Sequence, residues 1–169
     1  MFILVKHFEN HYYIELTGWL ALAILLIYLL GVYIITIGIR SYEREISINV
    51  IPLYSIKRIV LQIMEAWSVG GIRGLPQHKY NFFIHCIRNI IGNFFLILPI
   101  GYLYPIVRKK TITYWHIMFL GVAISLLIEI TQYSMHRGYF DVDDIVLNVV
   151  GCIIGKACFN QWLHKAADI

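Results

Sequence analysis

Charge is what this sequence has least of. Only 14% of its 169 residues are Asp, Glu, Lys or Arg, against about 25% in a typical soluble globular protein. Hydrophobic residues make up 59%, and the mean hydropathy is +0.69. Ten acidic and fourteen basic side chains cannot cover the surface of a water-soluble domain. That class is excluded, and disorder and a collagen-like fold go with it. Cysteine is nearly as sparse. Cys86, Cys152 and Cys158 lie in apolar stretches with no CxxC and no paired histidine. This removes a disulfide-stapled fold, a zinc site and a redox motif, and leaves three small buried hydrophobes. No stripe of arginine and lysine with interleaved aromatics runs along the chain, so nucleic acid is not a partner. The net charge of +4 suits anionic lipid headgroups instead.

Long apolar runs are what the sequence has in plenty. Residues 16–39 are 24 in a row without a charge, bracketed by Glu15 and Arg40. At 1.5 Å per residue they reach about 36 Å, enough to cross a hydrocarbon core of about 30 Å with some tilt. The run is too long and begins too late for a cleaved signal peptide. Further apolar blocks cover 82–107, 112–134 and 144–162. They carry Arg88, then Glu129, then Asn148 and Lys156. Four such spans predict an all-α integral membrane bundle of four transmembrane helices, one domain over residues 1–169, with both termini on the same side. Between the first two spans, Leu53, Ile56, Ile59, Val60, Ile63, Met64 and Trp67 recur at helical spacing, with Arg58, Gln62 and Glu65 opposite. Residues 52–67 are therefore expected to form a short amphipathic helix, with Pro52 in its first turn, either in the membrane interface or capping the bundle. Arg108, Lys109 and Lys110 form a dense cluster on the side of the termini. By the positive-inside rule this places the termini in the cytoplasm.

The polar residues inside these spans are costly in lipid, and each needs a reason. Following the chain back and forth across the bilayer brings nearly all of them to the face opposite the termini. Span two enters there with Arg88, Asn89 and Asn93. Span three leaves there with Glu129 and Gln132, which share a helix face at i,i+3. The next loop supplies Arg137, Asp141 and Asp143, and span four starts with Asp144 and Asn148. Asp144, Asn148, Gly151 and Gly155 are spaced 4, 3 and 4, which draws one stripe down span four. The GxxxG at Gly151 and Gly155 lets another helix approach closely, turning Asp144 and Asn148 into the bundle. Asp141 and Asp144 are also placed to cap a helix amino end. Asn93, Glu129, Gln132, Arg137, Asp141, Asp144 and Asn148 are thus the candidate functional cluster, and Gly151 and Gly155 the packing residues. Structural cross-linking of helices, at about 0.6 kcal/mol per hydrogen bond, is the plain alternative for any one of them.

These residues carry a family resemblance. Asn49 with Pro52, Asn89 and Asn93 leading to Pro99 and Gly101, Glu129 with Gln132, and Arg137 through Asp141 and Asp144 to Asn148, Gly151 and Gly155 occur in order over residues 48–155. The stretch resembles the VanZ-like family of small bacterial membrane proteins, and Arg40 after the first span suits it too. The resemblance implies a four-span protein of the bacterial cytoplasmic membrane, in a family whose founding member is associated with resistance to the glycopeptide teicoplanin. It implies no catalytic residue.

Two functions follow. In the first, the protein is not an enzyme, holds no metal or cofactor, and uses its polar cluster at one membrane face. There it binds a polar group of a lipid headgroup, a wall precursor or a glycopeptide, or docks a membrane partner protein, with Arg137 and Arg88 meeting a phosphate or carboxylate. In the alternative, a membrane-embedded enzyme acts on a lipid-linked or phosphate-bearing substrate, with Asp141, Asp144 and Glu129 holding Mg²⁺. The sequence offers that enzyme no convincing nucleophile or base. An independent transporter is disfavoured by four spans without an internal repeat.

Overall fold

The computed structural model describes residues 4–8, 11–15, 18–43, 45, 47–108 and 112–167. Lys109 and Lys110, on which the topology argument leans, lie outside the described residues. The chain begins with an antiparallel hairpin, β1 (Leu4–Phe8) and β2 (His11–Glu15), paired from Leu4↔Glu15 to Phe8↔His11. Helix α1 (Gly18–Tyr33) follows and widens into one π-helical stretch at Ile34–Gly38. A two-residue strand β3 (Ile48–Asn49) precedes α2 (Tyr54–Ser68), and a short 3₁₀ turn at Ile72–Gly74 leads into α3 (Gln77–Arg108). Then come α4 (Tyr114–Ser134), β4 (Phe140–Asp141) and α5 (Val142–Ala167).

The chain is all-α in class, and three of its stretches are long and apolar enough to cross a membrane: Leu20–Gly38, Gln77–Arg108 and Tyr114–Ser134. At 26 residues α5 is long enough but less apolar. Its Asp143, Asp144, Asn148 and Lys156 are all buried, because α5 is the inner helix. It packs along α3 and along α4, which scarcely touch each other, while α1 lies on the outer side of α3.

Glycine sets how closely α5 meets α3. A side-chain carbon on Gly151 would fall onto the Phe94 carbonyl, one on Gly155 onto the Leu98 carbonyl, and one on Gly101 onto the Cys152 carbonyl. The close approach is thus made by glycines of both helices. The main core forms around this seam from Leu25, Val32, Ile97, Ile100, Ile117, Ile128 and Cys152. A smaller cluster of Ile59, Phe83 and Cys86 fixes α2 on the first turns of α3.

Pro52 stands ahead of α2 rather than in its first turn. Leu53, at the helix N-cap, has a left-handed backbone (φ 61°), so helical geometry begins only at Tyr54. The polar side of α2 turns partly onto α3: Lys79 pairs with Glu65 at 2.5 Å, Gln62 donates to the Lys79 carbonyl, and the Arg58 guanidinium lies 4.7 Å from the Phe82 ring centre.

Candidate functional site

Two short tethers build the polar face of the molecule. The first is a parallel bridge between β3 and β4, pairing Ile48 with Phe140 and Asn49 with Asp141. It draws the connection after α1 under the loop between α4 and α5. Arg137 donates to the Arg40 carbonyl, the Glu43 N–H donates to the His136 carbonyl, and Tyr42 stacks on His136. The second tether is the π stretch at the end of α1. Its i+5 bonding, with Ile39 N–H on the Ile34 carbonyl at 2.9 Å, leaves the Thr36 carbonyl to accept from Gln132 Nε2 at 3.0 Å. Such bulges concentrate at functional sites because they free backbone groups in mid-helix.

The carboxylates are engaged one at a time. Glu129, 1% exposed, accepts the Asp141 N–H at 2.9 Å. It does not meet Arg137 or Arg88. Asp141 caps α5 by accepting the Asp143 N–H at 2.9 Å and also accepts from Asn49 Nδ2 at 2.9 Å. Burial pushes the Asp141 carboxyl above the usual carboxylate range, against the Asp143 N–H, which pulls it down; the Asp143 charge adds to the rise and the Asn49 amide to the fall. Asp144, 5% exposed, accepts from Asn89 Nδ2 at 2.5 Å, joining α5 to α3 instead of capping its own helix. Asn148, one turn deeper, donates to Ser125 of α4 at 2.8 Å.

An open cavity of about 450 Å³ lies between the end of α1, α3 and the loop before α5, in the size range of small-ligand sites. Of the predicted cluster, Asn93, Arg137, Asp141 and Asp144 line it. Glu129, Gln132 and Asn148 stand behind as supports. Arg40 and Arg88 line it as well, and among the described residues the only ion pair is Lys79–Glu65. Among the described residues the three arginines therefore have no carboxylate within ion-pair distance. Asn93 is 9% exposed, and its amide, near the Asp144 carboxylate, makes no hydrogen bond of full geometry among the described residues.

This ordered set, from Arg40 through Asn93 and Glu129 to Asp144 and Gly155, is spread over one matched region: the family model VanZ/LLP1 covers residues 21–163. The chain belongs to the VanZ-like family. No curated protein and no solved structure matches it.

The predicted cluster omits several residues of this VanZ-like site. Asp143, 2% exposed, holds the start of α2 through the N–H groups of Leu53 and Ser55. Thr36 and Ser125 are buried partners of Gln132 and Asn148. Asn49 and Asn89 lie outside the predicted cluster, and their positions opposite Asp141 and Asp144 come from pairing across 92 and 55 residues. The one available signal was chemical: each carboxylate near a span needs a donor, and the asparagines are the nearest in kind.

Proposed function

We propose that this VanZ-like protein works in the bacterial cytoplasmic membrane as a four-span protein, with α5 as the inner span and α2 at the interface. Its cavity binds a charged group of a cell-envelope compound: a lipid headgroup, a wall precursor or a teicoplanin-type glycopeptide. One observation carries the reading. Arg40, Arg88 and Arg137 line one cavity with no carboxylate in ion-pair contact among the described residues, and the planar guanidinium fork suits phosphate and carboxylate. The outward apolar side of α2, with Met64 65% and Trp67 84% exposed, supports an interfacial position. With cytoplasmic termini the cavity faces outward, where antibiotic and wall precursors are.

A role in binding predicts that Glu129→Ala and Asp144→Ala each abolish the glycopeptide resistance conferred by the wild-type gene while membrane levels stay unchanged. Full resistance in both variants contradicts it. Cysteine placed at the exposed Tyr139 is expected to react with an impermeant thiol reagent in intact cells, and protection would put the cavity in the cytosol instead. A Mg²⁺-dependent enzyme has less support. Among the described residues no three His, Cys, Asp or Glu side chains group as metal ligands.

A further inference from the structure

The cavity holds charges of both signs that form no close ion pair among the described residues. Arg40, Arg88 and Arg137 stand on its walls with Asp141 and Asp144, yet none of the three arginines lies within pairing distance of a carboxylate among the described residues. A purely anionic ligand would satisfy the arginines and sit against the two aspartates. A ligand carrying an anion and a cation a few atoms apart would satisfy both sets. Asn93 adds a separate indication. It lines the cavity, is nine-tenths buried, and its amide, near the Asp144 carboxylate, makes no hydrogen bond of full geometry among the described residues. A bound oxyanion would supply an acceptor, and Arg forks bind phosphate oxygens bidentately.

The cavity is also amphipathic along its length. Ile35 on the π stretch, 58% exposed, and Leu96 on α3 line it together with the exposed Gly92. These residues belong to the stretches long and apolar enough to cross a membrane. Beside Gly92, a side chain built on the backbone would meet nothing within 4 Å. Apolar lining thus adjoins the charged end of the cavity between α1 and α3.

Resting on the reading that this cavity binds a charged envelope group, we propose that its ligand is a phosphodiester bearing a primary amine, the chemistry of an ethanolamine phospholipid headgroup. The phosphate sits with Arg137, Arg88 and Asn93, the ammonium sits with Asp144 and Asp141, and the acyl chains leave past Gly92 and Ile35. The three hydrogen-bond donors on the ammonium face two carboxylates, which a fully methylated quaternary head cannot match.

The test uses the full chain purified in detergent and native mass spectrometry. The probes are dioleoyl phosphatidylethanolamine, phosphatidylglycerol and phosphatidylcholine at equal concentration, with soluble glycerophosphoethanolamine as a fourth. The ethanolamine lipid is expected to be retained about tenfold more than either of the other lipids, a difference of about 1.4 kcal/mol. Asp144→Asn should remove that preference while leaving phosphatidylglycerol retention unchanged, and Arg88→Gln, at an exposed position, should weaken retention of both. Equal retention of the ethanolamine, glycerol and choline lipids, with all three reduced by Arg88→Gln, overturns the amine assignment but keeps an anion site. Tight binding of soluble glycerophosphoethanolamine overturns the lipid source. No retention of any probe, with Arg88→Gln inert, overturns both this proposal and the reading beneath it. The comparison among lipids on the wild-type chain decides the amine question even if Asp144→Asn does not fold.

Discussion

The carboxylate of Asp143 accepts the N–H of Ser55 at 2.8 Å from 88 residues further along the chain. Its other oxygen takes the N–H of Leu53. The first turn of α2 is therefore capped by α5, not by a residue of its own. A helix leaves its first N–H groups without internal partners, and a carboxylate there also meets the positive end of the helix dipole. The arrangement ties α2 rigidly to the helix that carries Asp144.

Removing that cap should loosen α2 selectively. Asp143→Ala is expected to lower hydrogen-exchange protection of the amides at 54–58 by about 10- to 100-fold, corresponding to about 1.5–3 kcal/mol for hydrogen bonds to a charged acceptor. Asp143→Asn keeps one acceptor and should fall in between. Unchanged protection in Asp143→Ala would show that the Ile59, Phe83 and Cys86 contact alone holds the helix.

The glycine seam makes a sharper demand. Gly151→Ala and Gly155→Ala each place a methyl on a backbone carbonyl of α3, and forcing the helices apart costs about 1–3 kcal/mol. Both variants should melt at lower temperature in detergent. Gly31→Ala, where nothing lies within 4 Å, should be neutral or slightly stabilising, since alanine costs a helix less than glycine does. Equal melting of all three would refute the seam.

Asp141 predicts a pH dependence with a definite sign. Its carboxyl is held above the usual range by burial, so the folded chain binds this proton more tightly than the unfolded one. The stabilising contribution is complete below about pH 3.9, the ordinary aspartate value, and is lost as pH rises through the raised folded value. Infrared titration of the protein should show a protonated carboxyl band persisting above the ordinary range. That band should lose intensity in Asp141→Asn. Unchanged intensity there would assign it wholly to other carboxyls.

Lys156 is buried at 2% exposure, donating to Asn160 at 2.7 Å with the Tyr114 and Phe159 rings nearby. Among the described residues it has no carboxylate partner. Lys156→Met keeps the stem and removes the buried cation, so its melting temperature should equal or exceed that of the wild type. A clear fall would mean that the ring and amide contacts outweigh the desolvation of the charge.

Much of this was legible from the amino acids. The uncharged run of 16–39, the apolar spacing that gave α2, and the 4, 3, 4 stripe of Asp144, Asn148, Gly151 and Gly155 are all periodic patterns. Periodicity survives without knowledge of neighbours, because a helix turns every 3.6 residues wherever it packs. The hairpin of β1 and β2, the π stretch at Ile34–Gly38 and the left-handed Leu53 left no such trace. The bridge between Asn49 and Asp141 spans 92 residues, and two-residue strands carry no alternation to read.

The sequence by itself determined that polar groups are few, that they fall at one end of apolar helices, and that Gly151 and Gly155 mark a close contact. Those are consequences of composition and helical period. Only the tertiary structure decided which donor each carboxylate takes: Glu129 the Asp141 N–H, Asp144 the Asn89 amide, and Asp143 the start of α2. It also decided that Arg40, Arg88 and Arg137 share a cavity with no ion pair to a carboxylate among the described residues. A carboxylate accepts from any donor that packing brings to it, and packing is settled by the whole chain.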